Sequence, residues 1–419
     1  MQKTKLKQTE IGMIPEDWEV EEIGEVAEVV GGGTPSTKIS EYWDGDIAWI
    51  TPRDLSTFKF RYIKRGERNI TKKGLENSSA KLLPKETVLL TTRAPVGYLA
   101  IADNQVTTNQ GFRSLIPNDK TISEFLFYLL KKNVEILKSN ASGTTFGELS
   151  GSRLKALQFA FPNVEEQSSI AKILSSLDSK IELNQQMNKT LEAIGQAIFK
   201  HWFIDFEFPN EKGKPYKSSG GEMVDSELGE IPKGWEVNEL GEFIEFVKGR
   251  KPNQVFGNDE DGLMPQILID VLDGGTPFFS NSENMVQSDE TDIIMVMDGA
   301  SSGRTERGFA GILGSTLAKI KVKELNQDYV YCLLKIKEDD IKQNTTGTSI
   351  PHADKKKIEK YLIAVPPKKI LEDFRINFNQ ILFRQILIRK ENKNLSQIRD
   401  SLLPKLMSGK IRVPVEVRA

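Results

Sequence analysis

Side chains that most often carry out chemistry are scarce in this 419-residue chain. Two histidines, His201 and His352, and a single cysteine, Cys332, leave little from which to build histidine acid–base or metal chemistry. The same count excludes an internal disulfide framework and a cysteine-rich zinc site. Gly31-Gly32-Gly33-Thr34-Pro35-Ser36-Thr37-Lys38 lacks the Gly-Lys-Ser/Thr ending of a phosphate loop, and Pro35 removes an amide donor, so it reads as a turn leaving a strand. Asp373 with Glu391 and Lys393 mimics a nuclease-like acidic spacing, but these residues lie on one predicted helix and cannot converge on a metal. Pro366-Pro367 follows Val365 and precedes Lys368, so the Asn/Asp-Pro-Pro-aromatic motif of a methyltransferase is missing. His201 beside Trp202 reads as a helix-end packing residue. The clearest local signal is instead a basic run: Lys59, Arg61, Lys64, Arg65, Arg68, Lys72 and Lys73, with Glu67 the one acid and Phe58, Phe60 and Tyr62 interleaved. Such a run suits contacts to phosphates, which position a polyanion without reading it; a solvated hairpin face is the alternative.

Composition bounds the rest. The chain is 38% hydrophobic and 28% charged, a globular balance with room for two or three domains. No apolar run approaches the ~18–20 residues that span a bilayer. The basic start (Lys3, Lys5, Lys7) leads into no apolar signal-peptide core, so a cytoplasmic protein is expected. The net charge of −2 hides a strong local asymmetry. Residues 1–162 hold 22 basic and 20 acidic side chains, 163–226 hold 7 and 10, 227–365 hold 16 and 24, and 366–419 hold 12 and 5. Any electrostatic footprint must therefore be local.

The elements that must position these residues come in two copies. Ile-Pro-Glu-Asp-Trp-Glu-Val-Glu-Glu-Ile-Gly-Glu at 14–25 matches Ile-Pro-Lys-Gly-Trp-Glu-Val-Asn-Glu-Leu-Gly-Glu at 231–242, eight of twelve residues identical at an offset of 217. Further on, Ser142-Gly143-Thr144-Thr145-Phe146 corresponds to Thr346-Gly347-Thr348-Ser349-Ile350, and residues 159–162 to residues 363–366, both at an offset of 204. The first copy thus has 13 extra residues between the blocks. Each copy opens with a mixed part, with strands expected at 87–90 and 99–101 around a turn at 95–97, and at 292–297 and 317–322. A helix follows in each, at 122–138 and 328–342.

Each copy ends in a long helix. Asn163 with Glu166 three residues on is a capping-box-like start. Ile170, Leu177, Asn184, Leu191 and Ile198 then fall at strict sevens, and Phe374, Ile381, Ile388, Leu395 and Leu402 repeat them 204 residues later. Leu174 and Phe378 add the four-residue steps. Sevens sustained over about thirty residues argue for a coiled-coil seam. Two such seams in one chain most simply pair with each other, Asn184 setting register at some cost; two amphipathic helices packed separately are the alternative. A ~33-residue helix spans about 50 Å, roughly one and a half turns of a duplex. The expected organisation is a first domain at 1–162, a helix at 163–206, a polar Gly/Pro-rich linker at 207–226, a second domain at 227–365, a helix at 366–410 and a tail at 411–419.

These features together resemble the specificity subunit of type I restriction–modification enzymes over nearly the whole chain. The matching residues are the Ile-Pro-x-x-Trp-Glu-Val…Gly opening of each copy and Gly-Asp-Ile-Ala-Trp-Ile-Thr-Pro-Arg-Asp-Leu at 45–55. Phe-Pro-Asn-Val-Glu-Glu-Gln at 161–167 and Phe-Lys-His-Trp-Phe-Ile-Asp-Phe-Glu at 199–207 add to them. The second copy departs in two places, with Lys368-Lys369-Ile370-Leu371-Glu372 after its prolines and Gln266-Ile267-Leu268-Ile269-Asp270-Val271-Leu272 in place of the Trp-Ile-Thr-Pro-Arg-Asp-Leu stretch. The resemblance implies an α+β fold, with two mixed α/β target-recognition domains joined by two long antiparallel helices in a pseudo-twofold, circular arrangement. It implies a non-catalytic subunit that binds a split, asymmetric site in double-stranded DNA and scaffolds methyltransferase subunits, expected to be two, and restriction–translocase subunits. S-adenosylmethionine, ATP and magnesium would then belong to those partners and no cofactor to this chain.

On that reading the phosphate contacts of the first domain fall to the basic run already described, and in the second domain, where residues 276–290 hold no basic side chain, to Lys248, Arg250, Lys251, Arg304 and Arg307. Base readout asks for bidentate donors on loops. Arg53, Arg93, Asn109 and Gln110 meet that description in the first domain, and Asn253, Gln254, Ser302 and Arg304 in the second. Thr144, Thr145, Thr348 and Ser349 offer hydroxyls to a phosphate or base edge. On the helices Lys172, Lys180, Glu182 and Lys189, with Arg384, Arg389, Lys390 and Lys393, face away from the seam and form a solvated face, a docking surface for methyltransferase subunits, or a surface over the DNA backbone in the unread gap. Two other readings stay open: a nuclease or methyltransferase in its own right, which the missing motifs oppose, and a two-domain adaptor that does not bind DNA, which the acidic second copy favours.

Overall fold

A computed structural model describes residues 5–93, 95–142, 147–347 and 350–414. It divides into two compact units, Met1–Asn184 with Glu391–Ala419, and Gln185–Lys390. Each unit holds one mixed domain and about half of each long helix.

The first unit is built on a five-stranded sheet in the order Ala27–Gly31, Phe112–Pro117, Val88–Thr92, Val96–Ala102, Tyr62–Ile63. Val88, Leu89 and Leu90 are fully buried, which is why an unalternating apolar run forms a central strand. The second unit repeats the plan with Ile244–Lys248, Leu317–Val322, Ile293–Val296 and Thr305–Glu306. Register repeats as well: Val88 lies opposite Leu115 as Ile293 lies opposite Ile320. A smaller sheet accompanies each, formed on Trp43–Ile50 in the first unit and on Leu263–Ile267 in the second.

The helix expected at 122–138 is two helices, Ser123–Lys132 and Val134–Ser139. Asn133 separates them; its side-chain amide donates to the Leu129 carbonyl at 2.8 Å, local competition that interrupts a helix. The second copy breaks at the equivalent place, giving Gln327–Ile336 and Glu338–Gln343.

The two long helices span Val164–Phe203 and Lys368–Leu406. Asn163 caps the first by accepting from the Glu166 amide at 2.9 Å. Glu166 does not complete a capping box; its carboxylate accepts instead from the indole of Trp18 at 3.1 Å. Within the first unit Asp178 meets Arg399 at 2.6 Å, and Asn184 donates to Glu391 and Asn392 at 2.8 Å each. Within the second, Gln385 donates to Glu192 at 3.2 Å and Phe199 packs on Phe374. Residue numbers rise along one helix as they fall along the other, so the paired segments in each unit run antiparallel.

The buried face departs from strict sevens. Ile170, Leu174, Asp178, Ile181 and Asn184 are buried on the first helix, and Phe374, Phe378, Leu382, Gln385, Ile386 and Ile388 on the second. Leu177, Leu191, Ile198, Ile381, Leu395 and Leu402 are only half-buried, which corrects their assignment to the centre of a seam. A straight helix drifts about 20° per heptad away from a seven-residue repeat. The first long helix also meets the domain of each unit: Tyr128 donates to Asp178 at 2.7 Å in the first, and Tyr331 to Glu192 at 3.1 Å in the second.

The repeated tryptophans anchor the helix ends. Trp235 packs on Phe203 and Phe208, at 6.0 and 5.3 Å between ring centres. Trp18 and Pro15 lie against Gly409, just past the second helix; an added Cβ there would sit 2.2 Å from the Pro15 ring, and φ is +67°. Only glycine suits that C-terminal cap. Arg412 beyond it binds Asp17 and Glu166, at 2.6 and 2.7 Å.

Candidate nucleic-acid interface

In each unit several loops converge on one end of the main sheet. After Gly31 the first-unit chain crosses directly over Thr108–Asn109. A Cβ on Gly32 would lie 2.0 Å from the Asn109 carbonyl oxygen, and the Gly33 amide donates to the Thr108 carbonyl at 2.8 Å. The glycine run thus serves close backbone approach rather than phosphate binding. The second unit makes the same crossing: a Cβ on Gly249 would lie 2.2 Å from the Gly314 carbonyl, and the Arg250 amide donates to Leu313 at 3.0 Å.

On this shared frame the two rims display different side chains. The first carries Asn109, whose side chain holds the Gly111 amide at 2.9 Å, and exposed Gln110, which accepts from Thr34. Arg93 and Arg113 flank Glu148 at 3.7 and 3.4 Å. A Cβ on Gly111 would lie 3.0 Å from the Pro52 ring, which brings the short helix Pro52–Ser56 to the same end. Its Arg53 is 86% exposed. Asp54 accepts from the Glu67 amide at 2.7 Å and so ties Lys64, Arg65 and Arg68 to that helix. Arg68 stacks on Trp43 at 3.6 Å, a cation–π contact that pre-orients an exposed guanidinium. The second rim carries Lys248, Arg250, Lys251, Asn253 and Gln254, all exposed, with Asp298 and His352 beside Lys248.

The family model of the type I restriction modification DNA specificity domain matches residues 15–193 and 232–388, one stretch per copy. The chain belongs to this DNA specificity family. It is 41% identical to the type I restriction enzyme MjaIX specificity subunit of Methanocaldococcus jannaschii, covering 98% of this chain and 97% of that one. The putative type I restriction enzyme MjaX specificity subunit of the same organism is 26% identical over 97% of this chain and 96% of its own length. In fold, the chain is similar to a crystal structure of the type I restriction–modification S subunit from M. genitalium, with a TM-score of 0.54 at 20% identity over 96% of this chain and 98% of that chain.

For this specificity-family member the structure corrects several residue assignments. Arg61 is not on the rim. It is 6% exposed, and its guanidinium binds Glu124 at 3.0 Å, Ser179 at 2.6 Å and Glu182 at 3.3 Å, fastening the first domain to the long helix. Burial alone would lower its pKa, but the surrounding negative charge outweighs burial and holds it above the ordinary arginine value. Ser302 is 2% exposed and is withdrawn from solvent. Arg304 is spent on Asp273 and Glu306, at 2.7 and 2.9 Å, and Arg307 is buried against Asp328 at 2.6 Å. On the helices Glu182 is taken by Arg61, Arg389 reaches the Arg307 carbonyl, and Lys390 pairs with Glu290 at 2.8 Å, so these are not a uniform free face. Thr144, Thr145, Thr348 and Ser349 lie outside the described residues. Arg113, Glu148, Asp298 and His352 were absent from the sequence-based candidates; only the adjacency of Arg113 to Asn109-Gln110 and of Glu148 and His352 to the two repeated Thr-rich blocks pointed to them, and nothing pointed to Asp298. Among the described residues no cluster of His, Cys, Asp and Glu is arranged to hold a metal ion, and no helix is long and apolar enough to cross a membrane.

Removing charge from the exposed run has a separable signature. Replacing Lys64, Arg65 and Arg68 together by alanine is expected to weaken DNA binding about uniformly across sequences. The slope of log affinity against log salt should fall by about 0.9 for each phosphate that is no longer neutralised. Titrations at several salt concentrations measure this, and an unchanged slope would refute the assignment. Arg61→Ala should instead lower thermal stability, because it strands Glu182 and Glu124.

Proposed function

We propose that this chain, as the DNA specificity subunit of a type I restriction–modification system, reads a split and asymmetric site, one half with each rim, and performs no chemistry itself. The observation that supports this most is the pair of rims: one backbone frame presented twice, carrying different donors. Equal frames suit equal duplex grooves, and unequal donors suit unequal base sequences. The paired helices set the length of the unread gap.

Partner docking has support on the helices. Leu183 and Ile398 are exposed in the first unit, and Leu387 and Ile194, their equivalents at an offset of 204, are exposed in the second. Exposed apolar residues repeated in this way favour two copies of one partner, which on this reading is the methyltransferase subunit. S-adenosylmethionine, ATP and magnesium belong to the methyltransferase and restriction–translocase subunits, and the assembly works in the cytoplasm. The excess of acid in residues 227–365, 24 acidic against 16 basic, favours a second reading in which the chain is an adaptor that does not bind DNA.

Methylation mapping separates the two. DNA from cells carrying the chain with its neighbouring methyltransferase is compared with DNA from cells lacking only this chain. A split, asymmetric methylated motif that disappears with the chain is the expected result. Unchanged methylation, together with no DNA binding by the purified complex, would establish the adaptor instead.

A further inference from the structure

The rims share a charge arrangement that residue identity conceals. In the first, Glu148 lies between Arg93 and Arg113, at 3.7 and 3.4 Å. In the second, Asp298 lies between His352 and Lys248, at 2.7 and 3.1 Å. Backbone pairing establishes which positions correspond. The Leu149 amide donates to the Thr92 carbonyl at 2.9 Å as the Ala353 amide donates to Met297 at 2.8 Å. Ser142 and Glu148 form the same isolated bridge as Thr346 and His352. Arg93 therefore corresponds to Asp298, and Glu148 to His352: acid and base have exchanged places. The remaining base has moved too. Arg113 sits opposite Gly31 in the first sheet, whereas Lys248, the counterpart of Gly31, sits opposite Ala318, the counterpart of Arg113, in the second. All four positions differ in residue and in charge, yet one carboxylate between two bases persists.

Fold stability does not explain that persistence. Glu148 and Arg93 are more than a third exposed, and ion pairs in water contribute little. A carboxylate on a DNA-facing rim also repels phosphate. Its presence is accounted for when it holds two bases in fixed directions, as charge-assisted hydrogen bonds do. In the second rim partial burial alone would raise the Asp298 pKa, but the hydrogen bonds from His352 and Lys248 hold it below the ordinary 3.8, so this carboxylate is charged at neutral pH.

We propose that Glu148 and Asp298 are positioning carboxylates, each aiming its two bases, Arg93 with Arg113 and Lys248 with His352, at one half of the split site. This rests on the DNA-reading function proposed above. The test uses the full chain with its methyltransferase subunits and duplexes altered in one or the other half of the mapped motif. Glu148→Gln is expected to reduce discrimination at one half-site about fivefold or more, the scale of one well-placed base contact, and to leave the other half unchanged. Asp298→Asn should do the converse. Glu148→Asp and Asp298→Glu should retain most discrimination, and all four variants should keep the parent thermal midpoint. Tighter binding that is equal on cognate and altered duplexes would show that the acids only repel DNA and would overturn the proposal. So would unchanged discrimination, or loss at both half-sites together with a lowered midpoint. Should the parent complex discriminate at neither half-site, the DNA-reading function itself falls and the clamp with it; a discriminating parent confines any failure to the clamp.

Discussion

Replacing Asp178 by alanine is expected to destabilise the first unit by about 3–5 kcal/mol, the cost of breaking a buried ion pair from one side. Asp178 is 3% exposed on the long helix and collects three groups from two other helices: Tyr128 at 2.7 Å, Arg399 at 2.6 Å and Lys131 at 3.8 Å. Alanine leaves Lys131 without its paired carboxylate, Arg399 with only Asp400 at 2.9 Å, and the Tyr128 hydroxyl without its acceptor. The pH dependence tests the cause. Burial alone would raise the Asp178 pKa, but Lys131, Arg399 and Tyr128 together hold it below its ordinary 3.8. A carboxyl depressed in the folded state contributes stability that is present above the unfolded value. That contribution disappears as pH falls through the folded value. The difference between the parent and Asp178→Asn should therefore be constant from about pH 5 to 8 and shrink below about pH 4. Because the chain has two units, unfolding need not be two-state, and amide hydrogen exchange is the suitable measurement. Protection should fall in Met1–Asn184 and Glu391–Ala419 and persist in Gln185–Lys390. Uniform loss in both would sink this account.

Phe374→Ala should be as costly in the second unit, about 3–5 kcal/mol for a large aromatic removed from a packed core. Phe374 is fully buried, with ring centres 4.9 Å from Phe203, 5.4 Å from Phe378, 5.8 Å from Trp202 and 6.0 Å from Phe199. Phe203 in turn packs on Trp235, so the cavity would open between the two helices and the base of the second domain. Phe383 lies on the same helix nine residues on but is 63% exposed. Its replacement by alanine should stay within about 0.5 kcal/mol. Trp202 and Trp235 report this region by fluorescence, whereas Trp18, Trp43 and Trp49 lie in the other unit. Equal destabilisation by Phe374→Ala and Phe383→Ala would refute the burial argument.

The asymmetry between these neighbouring phenylalanines illustrates what periodicity reveals. A seven-residue pattern states that a face is apolar over thirty residues, so both long helices are legible in the sequence. It does not state where the face turns. The observed stripe runs through Asp178 and Gln385, polar residues that no seam rule selects, because in each unit the helix is buried by its partner and by that unit's domain at once. Asn184 was marked as a register residue, and its amide does bridge to Glu391 and Asn392, but its carbonyl oxygen is buried without a partner. A cost of that kind is tolerated when a slipped register would cost more.

Local order in the residues alone determined the tandem repeat, the central strands, the two long helices and the scarcity of catalytic side chains, and the resemblance in motif order determined the family. All of these depend on spacing along the chain or on composition, which a linear reading captures. The destination of each charge was decided only by tertiary structure. Arg61 looked like part of a phosphate-binding run and is instead held by Glu182, 121 residues away. Arg304 and Arg307 looked free and are neutralised inside the second domain. The rim carboxylates were invisible because their equivalence runs through sheet register, with the acid moved to a different strand or loop in each copy. Charge acts through space over a few ångströms, and the fold decides which residues fall within that distance.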